Sequence, residues 1–381
     1  MFKRLQTLKD LDKESCFLWG PRQTGKSTFL QTFFPSSTRY DLLLSNEFSK
    51  LTANPSILRE ELLANNPGKS PVIIDEVQKI PALLDEIQWL MVNKKMRFIL
   101  CGSSARKLKR VGANLLGGRA LRYELFPLVY KEIPDFNLLR ALNNGLLPRH
   151  YLASKPRLLL QSYIGDYLKE EIAAEALTRN VPAFARFLEA SAFSNGNIVN
   201  FQNIAFECGV SPVTAKEYFQ ILVDTLVGRF IPAFKKKPKR RIIHSPRFYF
   251  FDVGVANHLL KRENIKFGSE NFGRAFEHFI LQEIIAYSHY SGGNFDTAYW
   301  HTSSQLEVDF ILGDHEAAIE VKAVKNLGNQ HLRGLKAFKE EYAVKHSIIV
   351  SAYDPKPRLI DGISILPWKI FLERLWGGEI I

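Results

Sequence analysis

Between Ser15 and Phe34 the chain reads SCFLWGPRQTGKSTFLQTFF. Ser15–Trp19 is a short apolar run, and Ser27–Phe34 carries a helical pattern. Between them Gly20-Pro21-Arg22-Gln23-Thr24-Gly25-Lys26-Ser27 fits GxxxxGK[ST] in full. A strand, a glycine-bearing turn and a helix in this order form a phosphate cradle. The glycines let backbone N–H groups curl around the oxygens, and the positive end of the helix attracts the anion. The residues expected to bind are Gly20, Pro21, Arg22, Gln23, Thr24, Gly25, Lys26, Ser27 and Thr28. Lys26 would reach the β- and γ-phosphates, and Ser27 would ligate Mg²⁺.

The neighbouring sequence supplies the rest of such a domain. Tyr40–Leu44, Pro71–Ile74 and Arg97–Cys101 are further short apolar runs, separated by helical segments such as Ala82–Val92. Apolar strands alternating with helices predict a parallel sheet covered on both faces. Val72-Ile73-Ile74-Asp75-Glu76 is a strand ending in two carboxylates, the Walker B pattern. Asp75 would hold Mg²⁺, and Glu76 would orient and deprotonate the attacking water. The next strand runs into Gly102-Ser103-Ser104-Ala105-Arg106, where Ser103 or Ser104 either senses the γ-phosphate or simply forms the turn. Downstream, Leu116-Gly117-Gly118-Arg119 offers an arginine that would project into a neighbouring subunit's nucleotide or form a surface ion pair.

From about Ala141 to Val227 helical periodicity dominates. Within it, the turn Cys208-Gly209-Val210 divides two helical patterns in Asn200–Leu222. Ser211 provides an N-cap oxygen, and Pro212 suits the first helical position, so a helix-turn-helix is expected. Gly228–Phe234 and Arg247–Asp252 would form a wing hairpin. Between them lies KKKPKRR, Lys235–Arg241, a run that would contact phosphates, form a solvated loop or direct import. The helix-turn-helix serves equally as a lid or a protein-docking module.

The last third is mixed. A helix over Gly273–Tyr287 precedes Ala298–His301, and LEVDFIL (Leu306–Leu312) and AAIEVKAV (Ala317–Val324) flank a Gly313-Asp314 turn as a hairpin. Residues two apart on a strand share a face, so Glu320 pairs with Lys322 and Glu307 with Asp309. Carboxylates beside one lysine suit metal-dependent phosphodiester hydrolysis. Asp309 and Glu320 would hold the metal, Lys322 would position water, and Glu277 on the preceding helix would complete the set. The same alternation also describes a solvated face of cross-strand ion pairs.

GPRQTGKST, VIIDEVQKIP, FILCGSSARKL, LLGGRALRYELFPL, RFYFFDVGVANHL, GRAFEHFI and EVDFIL…AIEVK together resemble a family of prokaryotic AAA-type ATPases. These proteins join a P-loop domain to a C-terminal restriction-endonuclease-like domain. The resemblance spans about Phe17 to Lys322 and implies ATP binding, a winged-helix linker and a PD-(D/E)xK-type fold at the end. One departure is Gly145-Leu-Leu-Pro148-Arg149, where relatives tend to carry GG-x-P-E.

Composition sets the outer limits. At 381 residues, 46% hydrophobic and 24% charged, the chain is neither a disordered polymer nor a rod, and its length fits two to three domains. No apolar run would span a membrane, and no secretory leader is read from the start, so a cytoplasmic protein without membrane contact is expected. Cys16, Cys101 and Cys208 show no disulfide or zinc spacing, and no HExxH or GxSxG occurs. The 51 basic and 39 acidic residues give +12, which favours a polyanionic partner, DNA first. The reading is an α/β P-loop ATPase domain over 1–150, a helical and winged-helix domain over 151–260, and a mixed α/β nuclease-like domain over 261–381. ATP and Mg²⁺ are the expected cofactors, and a homo-oligomer is compatible with the trans role of Arg119. Two functions follow: an ATPase coupled to nucleic-acid cleavage or remodelling, or a nucleotide-switched DNA- or protein-binding regulator whose nuclease-like domain is inert.

Overall fold

The computed structural model describes every residue except 1, 105, 107, 109–115, 172–180, 237 and 238. The contacts divide the chain into two compact units. Unit 1 comprises Lys3–Pro127 with Asp224–Val227, and unit 2 comprises Leu128–Val223 and Gly228–Ile381.

Unit 1 is a parallel sheet of β1 (Ser15–Trp19), β2 (Arg39–Asp41), β3 (Val72–Asp75), β4 (Phe98–Gly102) and β5 (Ala120–Glu124), in the order β2-β3-β4-β1-β5. All side chains of β1, β3 and β4 are buried, as expected of inner parallel strands covered on both faces. Register pairs Trp19 with Gly102 and Asp75 with Cys101. The carboxyl ends of β1, β4 and β3 therefore lie side by side, which brings Gly20, Ser103 and Glu76 to one edge. That edge is where ligands bind in open α/β sheets.

Two local differences from the sequence reading have clear causes. The expected strand over Tyr40–Leu44 stops at Asp41, because Asp41 Oδ1 accepts the Leu43 N–H at 2.9 Å and turns the chain. Leu43 and Leu44, read as buried strand residues, are exposed. β5 has no apolar run to announce it: ALRYE lies at the sheet edge and is largely open to solvent.

Unit 2 contains helices Phe201–Cys208 and Pro212–Asp224, the last residue of which belongs to unit 1. Asn200 caps the first helix by accepting the Gln202 and Asn203 N–H groups, and Gly209 at φ 67° ends it in the left-handed conformation. Ser211 Oγ accepts the Thr214 N–H at 3.1 Å and starts the second. A two-stranded antiparallel hairpin follows, β6 (Gly228–Ile231) with β7 (Arg247–Phe250). The larger sheet holds β8 (Thr297–His301), β9 (Glu307–Leu312), β10 (Ala317–Lys322), β11 (His346–Ser351), β12 (Arg358–Ile360) and β13 (Ile363–Pro367), in the order β12-β13-β11-β10-β9-β8. β9 and β10 pair antiparallel around the Gly313 turn, while β10, β11 and β13 run parallel.

Residues 151–260 and 261–381 share this one unit because helix Glu270–Ser291 is bonded to the hairpin's exit. His278 Nε2 bonds Phe250 O at 2.7 Å, and Gln282 bridges Phe251 O and the Val253 N–H. Among the described residues, no helix is long and apolar enough to cross a membrane.

Candidate nucleotide site and the carboxylate cluster of unit 2

The loop after β1 is built to curl tightly. A Cβ on Gly20 would lie 2.5 Å from Leu125 O, so no side chain fits there. Gly25 adopts φ 91°, and Gln23 φ 64°. The first-turn N–H groups of helix Lys26–Phe33 have no partner within that helix, which leaves them for an anion. Lys26 is buried, and its Nζ donates to Gly20 O at 2.7 Å and Pro21 O at 3.0 Å, so the ammonium lies inside the curl. Burial lowers the Lys26 pKa, and the charges of Glu76 and Asp75 oppose that shift. Thr24 Oγ1 donates to Pro21 O at 2.9 Å. Arg4 braces the loop from outside by donating to Thr24 O and Phe126 O, both at 2.6 Å.

Ser27 Oγ donates to Asp75 Oδ2 at 2.9 Å, which joins the phosphate loop to the end of β3. A hydroxyl and a carboxylate beside a phosphate cradle form an all-oxygen donor set that fits Mg²⁺, since phosphates and water supply its remaining ligands. Glu76 holds φ 59°, an uncommon conformation for a side chain of this size. Gln78 Nε2 donates to Glu76 Oε2 at 2.5 Å and to Ser103 Oγ at 3.3 Å. Gln78 Oε1 is buried without a partner and faces Gly102, where a Cβ would meet it at 2.2 Å. Gln78 therefore ties the Walker B glutamate to the tip of β4. Ser104 Oγ instead donates to Asp224 O at 3.1 Å, so Ser103 is the serine turned toward the site. Arg22 is partly exposed, Thr28 and Arg119 are exposed, and Ala105 lies outside the described residues.

The residues expected around the β9–β10 hairpin also come together. Asp309 and Glu320 are buried on adjacent strands, and Glu320 Oε2 accepts the Asp309 N–H at 3.3 Å. Lys322 pairs with Glu320. Sequence reasoning missed Arg247, at the start of β7. Its buried guanidinium pairs with Glu307, stands 3.7 Å from Asp309 Oδ1 and 3.9 Å from Glu277 Oε1, and lies over the Tyr299 ring. Tyr249 Oη donates to Glu277 Oε1 at 2.6 Å. Burial, then the charge of Asp309, pushes Glu277 up to about 7, and burial likewise raises Asp309 and Glu320. Burial would raise Glu307 too, but Arg247 holds it below the usual range. Glu277, Asp309 and Glu320 are thus brought into one network with Arg247 and Lys322. Among the described residues, no group of three or more His, Cys, Asp or Glu side chains is placed to hold a metal ion. As arranged, this network does not fit a cation.

Two cations of the basic run Lys235–Arg241 are paired. Lys236 bonds Asp314, and Arg240 bonds Glu340 and Glu341, each at 2.5 Å, while Lys237 and Pro238 lie outside the described residues.

Three family models match the chain in succession. Residues 12–134 match an AAA domain, 136–266 a domain of unknown function (DUF8612) and 272–371 a domain of unknown function (DUF4143). Two mycobacterial relatives, the uncharacterized protein Mb2031c of Mycobacterium bovis and the uncharacterized protein Rv2008c of Mycobacterium tuberculosis, are each 25% identical over 302 residues. The match covers 77% of this chain and 66% of each relative, so it spans just under two thirds of their length. The parallel sheet, the phosphate loop and the AAA match agree: unit 1 is an AAA-type, ATPase-like module.

Proposed function

We propose that the chain is a Mg²⁺-dependent ATP hydrolase. The observation that carries this reading is the 2.9 Å bond from Ser27 to Asp75, with Lys26 inside the loop and Glu76 at the adjoining strand end. Lys26 and the first-turn N–H groups would bind the β- and γ-phosphates, and Ser27 and Asp75 would hold the metal. Bound there, Mg²⁺ supplies charge neutralisation of the phosphate oxygens. Glu76 would align a water with the γ-phosphorus and take its proton at the carboxylate. Gln78 and Ser103 would hold that carboxylate in place, and Arg119 would contribute charge to the site of a neighbouring copy.

Calorimetry and phosphate release test this reading. Lys26→Ala is expected to lose ATP uptake. Glu76→Gln is expected to bind ATP normally and turn it over about 10²–10⁴-fold more slowly, the usual worth of a positioned base. Normal turnover by Glu76→Gln would overturn the assignment.

For unit 2, the pairing of Arg247 and Lys322 with the carboxylates favours a DNA- or protein-binding regulator over a cutting enzyme. Cleavage at Asp309 and Glu320 requires carboxylates free to take a metal, and here cations of the same chain take them. Incubation with varied DNA structures in Mg²⁺ or Mn²⁺ is expected to give no cleavage. Cleavage that Glu320→Ala abolishes would reverse this choice.

A further inference from the structure

Unit 2 holds a concavity of about 530 Å³, within the size range of small-molecule sites. Its wall carries Arg140, Arg157, Lys261, Arg262 and Lys266, with Glu263 as the one carboxylate. Glu263 is taken by Arg157. Arg140, Lys261, Arg262 and Lys266 form no ion pair with any described residue, in contrast to Lys236 and Arg240. Four unpaired cations around one cavity repel each other unless an anion enters. Burial and then Arg157 lower His258, and burial and then Arg274 lower Arg262.

The cavity is built, not incidental to a mobile surface. Asn143 clamps its loop at two points, donating from Nδ2 to Ile265 O and accepting the Ile265 N–H at Oδ1, both at 2.9 Å. Lys261 and Asn264 are held at φ 53° and 51°, conformations that cost energy and persist only where the surroundings enforce them. A fixed loop lowers the ordering cost of binding. The same lining includes the apolar residues Leu139, Pro156, Leu160 and Ile265. A cationic rim beside apolar lining in a half-open concavity suits a small molecule with clustered phosphates and an organic body. The backbone of a nucleic acid would instead need a basic track along the surface.

We propose that this cavity binds a small organic polyphosphate of the nucleoside diphosphate class, at a site separate from the phosphate loop. Guanidinium groups hold phosphate oxygens by forked, charge-assisted hydrogen bonds, so Arg140 and Arg262 are the expected principal contacts. The apolar lining would seat the organic portion.

The test uses the 381-residue chain carrying Lys26→Ala, titrated in a calorimeter with ADP and, separately, with inorganic pyrophosphate. One site is expected for each probe, with ADP the tighter if the apolar lining takes part. Arg140→Glu/Arg262→Glu is expected to weaken binding about a hundredfold, roughly tenfold for each lost charged hydrogen-bond partner. Lys325→Glu/Lys356→Glu, which changes the net charge equally away from the cavity, is expected to leave it within threefold. Should the double arginine variant fold poorly, Arg140→Ala alone, on an exposed residue, is expected to cost about tenfold. Absence of binding by both probes, or binding indifferent to the arginines, overturns the proposal. So does binding of duplex DNA through these arginines with no uptake of either small probe. A wild-type chain whose ADP stoichiometry is the same as that of Lys26→Ala would count against the phosphate-loop reading and leave this one standing.

Discussion

Removal of the Gln78 amide is the sharpest probe of the proposed nucleotide site, because its Nε2 holds Glu76, the proposed base, against Ser103. Gln78 is 3% exposed, and its Nε2 joins Glu76 Oε2 to Ser103 Oγ. Glu76 needs that restraint, since φ 59° is a strained backbone setting worth about 1–3 kcal/mol. A hydrogen bond to a charged group contributes about 1.5–3 kcal/mol. If the Gln78→Ala loss falls entirely on the placement of Glu76 in the transition state, kcat drops roughly 10- to 150-fold at 1.36 kcal/mol per decade. KM for ATP should change little, because Gln78 touches neither Lys26 nor Ser27. Gln78→Glu should do more damage, with a second carboxylate at hydrogen-bond distance from the first and a shifted pH–rate profile to show for it. Steady-state phosphate release across pH 6–9, with ATP affinity measured separately, reads both quantities. Unchanged kcat in Gln78→Ala, alongside a slow Glu76→Gln, would refute the positioning role. Faster turnover would mean that the amide restrains the glutamate instead of placing it.

Three other outcomes follow from the packing. Gly102→Ala should lower the melting temperature of unit 1 by an amount equivalent to about 1–3 kcal/mol, since the new Cβ would lie 2.2 Å from Gln78 Oε1 and 2.7 Å from the Trp19 ring; an unshifted melt would contradict that crowding. Arg247→Met should destabilise unit 2 by about 3–5 kcal/mol in urea titration, the usual consequence of leaving buried carboxylates unpaired, and Arg247→Lys should fail to restore it. His150 is fully buried, neither ring nitrogen has a partner, and burial followed by Arg149 lowers its pKa to about 4. The depressed value means the folded chain resists protonation, so this contribution is present above about pH 6.5 and is lost as pH falls toward 4. Over that window it amounts to about 2–3 kcal/mol, discounted for residual solvent screening. His150→Leu should stabilise the chain and flatten its acid titration, and an unchanged pH profile would disprove the role of this imidazole.

The fold was most legible where one element's pattern carried its own explanation. SCFLW, VIID and FILCG are short runs that only a doubly covered parallel sheet can bury, and they form β1, β3 and β4 within a residue of the reading. The period-two alternation of Glu307–Asp309 and Glu320–Lys322 likewise placed four charges toward one centre. β5 escaped because an edge strand needs no apolar run, and Leu43–Leu44 misled because a single Asp41 side chain outweighed two leucines. Gln78 and Arg247 could not be singled out. Gln78 joins Glu76, two residues away, to Ser103, 25 residues away, and Arg247 meets carboxylates 30 to 62 residues away, so the distant partners that give them their place are not visible locally.

The two charged centres differ in how their groups are spent. In unit 1 the cation and the carboxylates are kept apart. Lys26 rests on neutral carbonyls, Asp75 accepts from a hydroxyl and Glu76 from an amide, so none is neutralised by an opposite charge at bonding distance. A phosphate and its metal would replace weak neutral partners with charged ones, and the exchange is favourable. In unit 2 each carboxylate of the cluster already has Arg247, Lys322 or the Tyr249 hydroxyl. A metal entering there must first separate buried opposite charges, and the desolvation that made those pairs costly to form makes them costly to break. The first arrangement leaves its charges for a ligand and the second is satisfied without one, which is the physical reason to place the proposed turnover at the phosphate loop and not at the hairpin carboxylates.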